Sequence, residues 1–382
     1  MKARRRVVPG TPGGPRPQRT PTVRRIKSAI TPATPRARAS AASSSAQPSL
    51  SSSAPALDAI GGRPVSLEVD LGRGLVLRNP VIAAAGPFGY GVEVADLVDL
   101  PRLGCLVARG TTLRPRSGHP APRMAEAPSG RLVGVGLQNP GIEVVLERYA
   151  PAWARWPVPV IVNVCGESSG DIVELVRRLE GVPGVTGVEV NLPCGNAARG
   201  GTAFGLEADA AGSLVGVVRR ATDLPVIAKL TAAAGDVRAV ARAVVEAGAD
   251  AISAINTLPG LAVAGDRAGS ALGSGYGGLC GPALKPVALR VVFEVAQVVD
   301  VPVIGIGGVT TVDDVLDLLA VGASAVGVGV AALADPMLPV RLADELADAC
   351  RARGVADVAD LVGTALPKRS SPPSTRGAEF AR

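Results

Sequence analysis

The stretch PVIGIGGVTTVDDVLDLLAVGASAVGVGVA, residues 302–331, holds the pattern that decides the fold. A short aliphatic run ends in glycines at 305–308, an amphipathic segment follows over 312–324, and a second aliphatic run begins at 324. That is the signature of strand, helix, parallel strand. The same rhythm extends upstream through PVIAAAG (80–86), CLVARG (105–110), PVIVNVCG (159–166), VTGVEVNL (185–192), PVIAKL (225–230) and AISAINT (251–257). With PVIGIGG (302–308) and SAVGVGVA (324–331), the runs number eight. Helical patterns such as DIVELVRRLEG (171–181) and DVRAVARAVVEAGAD (236–250) lie between them. Near-continuous apolar strands alternating with helices imply a parallel sheet covered on both faces. Eight such units predict an α/β protein of the (β/α)8 TIM-barrel class, with a doubly wound open sheet as the alternative.

Composition sets the limits. Aromatic residues make up 2% of the chain, which argues against nucleic-acid binding through stacking platforms. The net charge of +7 is carried by a tail: residues 1–60 hold eleven Lys or Arg against one acid, Asp58, so residues 61–382 sum to −3. Residues 1–61 are rich in Arg, Pro, Ser and Ala and are expected to be disordered, because they cannot bury enough apolar surface to offset ordering entropy. Their Arg- and Ser-rich character is that of a transit peptide or of a dispensable extension. Residues 366–382 read as a second disordered tail, leaving one domain over 62–365. The five cysteines, Cys105, Cys165, Cys194, Cys280 and Cys350, form no C-x-x-C pair, so neither a disulfide framework nor a metal site is expected. His119 is the single histidine, which excludes multi-histidine metal sites and disfavours a Ser-His-Asp triad. No apolar run reaches about 18 residues. The expectation is a cytoplasmic protein in a reducing compartment, with no membrane span.

Barrel chemistry sits at the carboxyl ends of the strands. There the sequence places Gly86, Arg109, Asn163, Asn191, Lys229, Asn256 with Thr257, Gly307 with Gly308, and Gly329. Glycines after the seventh and eighth runs suit a phosphate, whose oxygens accept from backbone N–H groups, although glycines also serve plain tight turns. Lys229 ends an otherwise apolar run, so it either meets an anion or polarised ring or reaches past the strand end to solvent. Asn191, Asn196, Asn256 and Thr257 supply amides and a hydroxyl that fit a planar, amide-rich ligand, or cap loops.

Seven segments carry a family resemblance: TTLRPRSGHPAPR (111–123), GLQNPG (136–141), N-x-x-C-x-N (191–196), AKL (228–230), INT (255–257), GGLCGPALKP (277–286) and GIGGV (305–309). In that order, over about 64–348, the chain resembles the class 1 dihydroorotate dehydrogenases, above all the B-type catalytic subunit. The resemblance implies an FMN-dependent barrel that oxidises (S)-dihydroorotate to orotate in de novo pyrimidine (UMP) biosynthesis. It makes Cys194 the catalytic base on the loop after the fourth strand and Lys229 the catalytic lysine beside the flavin. It implies substrate contacts for Asn191, Asn196, Asn256, Thr257, Gly136, Leu137 and Arg109. It implies FMN contacts for Ala85, Gly86, Arg109, Asn163, Asn191, Lys229, Gly281, Gly307, Gly308, Gly329 and Val330. The glycine-rich NAARGGTAFG (196–205) would be a lid over the substrate. The resemblance further implies an electron-transfer partner subunit with FAD and an iron–sulfur cluster, in a heterotetramer, or else a homodimer.

The chain departs from the family pattern N-x-S-C-P-N, with Pro193 and Gly195 on either side of Cys194. Arg109 stands where the family has a lysine, and Val133 where it has a substrate-binding asparagine. An arginine fork is bulkier than a lysine and binds planar groups differently. These two positions support an alternative substrate, another dihydropyrimidine or cyclic imide, oxidised on the same flavin. A third reading is a barrel that binds FMN or a pyrimidine without catalysis.

Overall fold

Eight strands pair in sequence order and close on themselves in the computed structural model, which describes residues 64–196 and 202–367. They are β1 (Val81–Ala83), β2 (Cys105–Thr111), β3 (Val160–Val164), β4 (Val185–Asn191), β5 (Val226–Lys229), β6 (Ala251–Ala254), β7 (Val303–Ile306) and β8 (Ala325–Val328). Every neighbouring pair is parallel, and β8 returns to β1 through Val326 opposite Val81. Closure excludes the open doubly wound sheet. Each of the eight aliphatic runs supplies one strand, and most strand residues are fully buried because helices cover the outside while side chains fill the inside.

The outer helices include α1 (Ser169–Leu179), α2 (Ala208–Arg219), α3 (Val237–Glu246), α4 (Lys285–Ala296), α5 (Val312–Ala320) and α6 (Leu338–Arg353). Local chemistry fixes where several begin. Ser168 accepts from the Asp171 N–H at the start of α1, and Asp236 accepts from the Arg238 and Ala239 N–H groups at the start of α3. Thr311 and Asp314 form a reciprocal capping box at α5. A two-stranded hairpin, Val69–Asp70 with Val76–Leu77, lies at the amino end of the barrel, where Arg73 pairs with Asp250 just before β6.

The opposite end carries what the aliphatic rhythm does not announce. Insertions after β2 and β6 contribute Met124–Ala127, Gly130–Val133, Leu258–Gly260 and Gly277–Cys280, which pair as one four-stranded antiparallel sheet. These strands are short and two are glycine-rich, so they lack the apolar alternation that marks a strand in sequence. The terminal segments expected to be disordered, 1–61 and 366–382, lie outside the described residues apart from Leu366 and Pro367. The fold runs past 365 because the Ala365 N–H bonds the Ala320 carbonyl and the Leu366 N–H bonds that of Gly363. Among the described residues no helix is long and apolar enough to cross a membrane.

Candidate active site

The carboxyl ends of the strands surround a cavity of about 690 Å³, within the size range of small-molecule and cofactor sites. Its wall includes Ala85 and Gly86 after β1, Arg109 on β2, Asn163 on β3, Asn191 on β4, Lys229 on β5, Asn256 and Thr257 after β6, Gly281 before α4, Gly307 and Gly308 after β7, and Gly329 and Val330 after β8. Leu137, from the segment after the small sheet, also faces it. Strand-end residues from all eight units thus converge on one space. Gly136 does not line it; a side chain there would run into His119, 2.6 Å away. Cys194 is not among the residues of this wall; it is buried beside Cys165 at the rim of the segment that leads into the expected lid. The side chain of Asn196 and residues 197–201 of the expected lid lie outside the described residues.

At the bottom of the cavity sits a buried ionic cluster. Glu189 on β4 is 1% exposed, and both of its oxygens lie 3.4 Å from Lys229 Nζ. Ser253 Oγ on β6 donates to Glu189 Oε1 at 2.7 Å, and Asn163 Nδ2 on β3 donates to Oε2. A lone buried charge is prohibitively costly, and here each charge is paired and its lone pairs are used. Lys229 therefore meets a protein anion as well as the cavity. Glu189 could have been found from sequence: a carboxylate in the middle of the apolar run VTGVEVNL demands a buried cation.

The amides form a directed chain. The Thr257 N–H donates to Asn256 Oδ1 at 2.7 Å, so the Asn256 amide must turn its Nδ2 to Asn191 Oδ1, 3.1 Å away. Asn191 in turn points its own Nδ2 at Cys165 Sγ, at 3.2 Å. These three residues, expected to face a ligand, are thus also spent on holding one another.

Cys194 lies at the base of a hairpin in which Gly195–Asn196 pairs antiparallel with Thr202–Ala203. Its N–H bonds the Asn191 carbonyl, and its own carbonyl accepts from Phe204. The Cys165 thiol hydrogen-bonded to Cys194 lowers the Cys194 pKa; burial opposes this, while the Gly166 N–H and the Arg116 charge add to the lowering. Cys165 moves well upward, through its bond to Cys194 and then through burial. These surroundings favour the thiolate at Cys194 over one at Cys165.

At the other end of the cavity, Gly307 and Gly308 turn the chain after β7 with φ of +144° and +78°. A Cβ on Gly308 would sit 2.8 Å from the Lys285 backbone nitrogen, so the tight turn needs glycine. Asp314 braces this turn: it accepts from the Thr310 and Thr311 N–H groups at 2.8 Å each and from Lys285 Nζ at 2.5 Å. Burial raises the Asp314 pKa, but the Lys285 ammonium and the two N–H groups outweigh it and bring the value to about 2. Because the folded-state value is depressed, its contribution is full above the unfolded value of about 4 and is lost as pH falls toward 2. Acidification from pH 5 to pH 2.5 should therefore remove about 1–2 kcal/mol of stability through this group. Urea midpoints of wild type and Asp314→Asn at both pH values would show the loss in the wild type alone.

A family profile described as dihydroorotate dehydrogenase matches residues 67–350. The chain belongs to the dihydroorotate dehydrogenase family. It is 45% identical over 292 residues to the catalytic subunit of dihydroorotate dehydrogenase B (NAD+) of Desulforudis audaxviator, covering 76% of this chain and 95% of that one. It is 47% identical over 290 residues to the protein of the same description in Pelobacter propionicus, with coverage of 76% and 95%. Among solved structures, the dihydroorotate dehydrogenase of Eimeria tenella in complex with ferulenol superposes with a TM-score of 0.64 at 22% identity, covering 78% of this chain and 88% of that one. At that identity the superposition speaks for the barrel alone.

Proposed function

We propose that this chain oxidises (S)-dihydroorotate to orotate, the redox step of de novo pyrimidine (UMP) biosynthesis, using FMN held in the cavity. The observation that carries the reading is the polarity of that cavity. One end is lined by bare glycine turns and the other by Lys229, with Glu189 paired to it behind the wall, and by the amide chain. The residues present fit the cofactor. A Cβ at Gly86 or Gly329 would meet no protein atom within 4 Å, so the backbone there lies open to a ligand. Gly307, Gly308, Gly329 and Val330 would hold the phosphate, Ala85, Gly86, Asn163 and Gly281 the remainder, and Lys229 the polar ring edge. When bound, FMN supplies the hydride acceptor.

The protein residues do the rest. Asn191, Asn196, Asn256 and Thr257 orient the substrate ring and its carboxylate, and Leu137 packs against it. Arg109 places a fixed positive charge in the wall. Cys194, as thiolate, takes the proton from C5 of the substrate as the C6 hydride leaves. Lys229, held by Glu189, which Ser253 in turn bonds, would keep positive charge where electron density accumulates. The names of the B-type relatives describe catalytic subunits of NAD+-dependent enzymes. We carry over to this chain an electron-transfer partner subunit of the same kind, with FAD and an iron–sulfur cluster.

The purified protein should be yellow, release FMN on denaturation and form orotate from dihydroorotate with an artificial electron acceptor. A flavin-free preparation that takes up no FMN would sink the proposal. Gly329→Val offers a finer check. The position has room for a side chain, so fold stability should change by no more than about 0.5 kcal/mol. FMN affinity should nevertheless fall about tenfold or more, since the new methyls enter the cavity. Titration of the apoprotein with FMN reads it directly.

A second reading has its own observation: Arg109 and Val133 both line the cavity. A ligand lacking the polar group that an asparagine at 133 would have bonded, such as another dihydropyrimidine or a cyclic imide, suits that wall. Faster flavin reduction by 5,6-dihydrouracil than by dihydroorotate would favour it.

A further inference from the structure

Cys165 has no part in the reaction as described above, yet it sits at the junction of the two hydrogen-bond chains. It is fully buried and follows β3 directly. Its sulfur has four polar neighbours: Asn191 Nδ2 at 3.2 Å, Asn163 Oδ1 at 3.2 Å, the Cys194 thiol, and more distantly the Glu189 carboxylate. Donor inventory settles the directions. The Thr257 N–H can only donate, which orients Asn256, then Asn191, so that Asn191 gives a hydrogen to Cys165. The ionised Glu189 carboxylate can only accept, which turns Asn163 Nδ2 toward it and leaves Asn163 Oδ1 facing Cys165. Cys165 thus receives one hydrogen bond and has a single S–H to give. Two acceptors compete for it, Asn163 Oδ1 and Cys194 Sγ.

We infer that Cys165 is a positioning residue for the base: its one S–H passes between Asn163 Oδ1 and Cys194 Sγ as Cys194 gains or loses its proton. With Cys194 as thiolate, Cys165 donates to it. Once Cys194 has taken the substrate proton, its new S–H donates to Cys165, and the Cys165 hydrogen turns to Asn163. Each thiol hydrogen has an acceptor in either state, Asn163 Oδ1 giving up its bond only while Cys194 is charged, so the charge on Cys194 can appear and vanish without leaving a buried donor unsatisfied. The surrounding charges make the arrangement one-sided. Arg116, itself paired with Glu167, faces Cys194 from the segment after β2, and the Gly166 N–H donates to it. Glu189, paired with Lys229 of β5, faces Cys165 instead and disfavours a thiolate there. Sequence gave no warning, because a cysteine at the end of an apolar run reads as core.

This inference rests on Cys194 being the base, and its test separates the two. Iodoacetamide alkylation of Cys194 in the full-length FMN-bound protein, mapped by peptide mass spectrometry across pH, reads the thiolate directly. The pH profile of anaerobic flavin reduction by dihydroorotate reads it in turnover. Cys165→Ala should displace both profiles upward by about one pH unit, a tenfold smaller thiolate fraction near neutral pH. Cys165→Ser, which keeps a donor, should restore most of the shift, whereas a merely structural role would leave both profiles where they were. Superimposable profiles for wild type and Cys165→Ala, with FMN retained, would overturn the inference, as would a Cys165→Ser profile displaced as far as that of Cys165→Ala. Undiminished flavin reduction in Cys194→Ala would instead remove the base itself, whatever the alkylation profiles show.

Discussion

Cys194→Ala should slow anaerobic flavin reduction by dihydroorotate by about 10²- to 10⁴-fold, the usual worth of a general base, while leaving bound FMN unchanged. The geometry explains why the two effects separate. Cys194 is not part of the wall that would hold the cofactor; it is carried at the base of the hairpin and lies beside Cys165. Removing its sulfur leaves the glycine turns and the Lys229–Glu189 pair untouched. The pH dependence follows from the same surroundings. Cys194 is lowered by the Cys165 hydrogen bond, against burial and with help from Gly166 and Arg116, so its active, deprotonated form persists to lower pH than an ordinary thiol's. The wild-type rate should therefore fall on acidification, with the fall displaced below the usual cysteine range. Stopped-flow reduction traces across pH measure both predictions. A Cys194→Ala protein that reduced its flavin at the wild-type rate would show that another group takes the proton.

Lys229→Met carries the largest expected cost to the fold. It strands Glu189, 1% exposed, with only Ser253 and Asn163 for partners. Breaking a buried pair from one side costs about 3–5 kcal/mol, because the remaining charge has no water to return to. Pairing Lys229→Met with Glu189→Gln removes both charges and should recover about half of that loss or more. Denaturant midpoints of the two single variants and the double variant would reveal the coupling. FMN retention should drop in every variant lacking Lys229 and should not recover in the double variant. That split distinguishes the stabilising role of the pair from the cofactor role of the lysine. Equal stability of wild type and Lys229→Met would mean that Glu189 is solvated or protonated rather than ion-paired.

Much of this was legible in the chain because the barrel imposes its own period. Each aliphatic run had to be buried on two faces, so the eight runs and the eight strands coincide, down to the glycines that end β7 and β8. The ring of strand-end residues followed from the fold, since a residue at the end of a barrel strand has only the mouth to face. The small antiparallel sheet was hidden because its strands are two-sided, short and rich in glycine. Ser253 and Cys165 were hidden for a different reason, and Glu189 announced a buried cation without saying which one. Their meaning lies in partners from β3, β4, β5 and β6, which no spacing along the chain reveals. Asp314 is intermediate. The T-x-x-D spacing at 311–314 signals a cap, but only the fold shows that the cap also braces the Gly307–Gly308 turn.

Anaerobic mixing of the FMN-loaded protein with dihydroorotate puts the central claim to the most direct test. The account predicts stoichiometric bleaching of the flavin absorbance with formation of one orotate per FMN, and no bleaching in Cys194→Ala on the same timescale. A fully FMN-loaded wild-type protein that stays oxidised in excess dihydroorotate would contradict it.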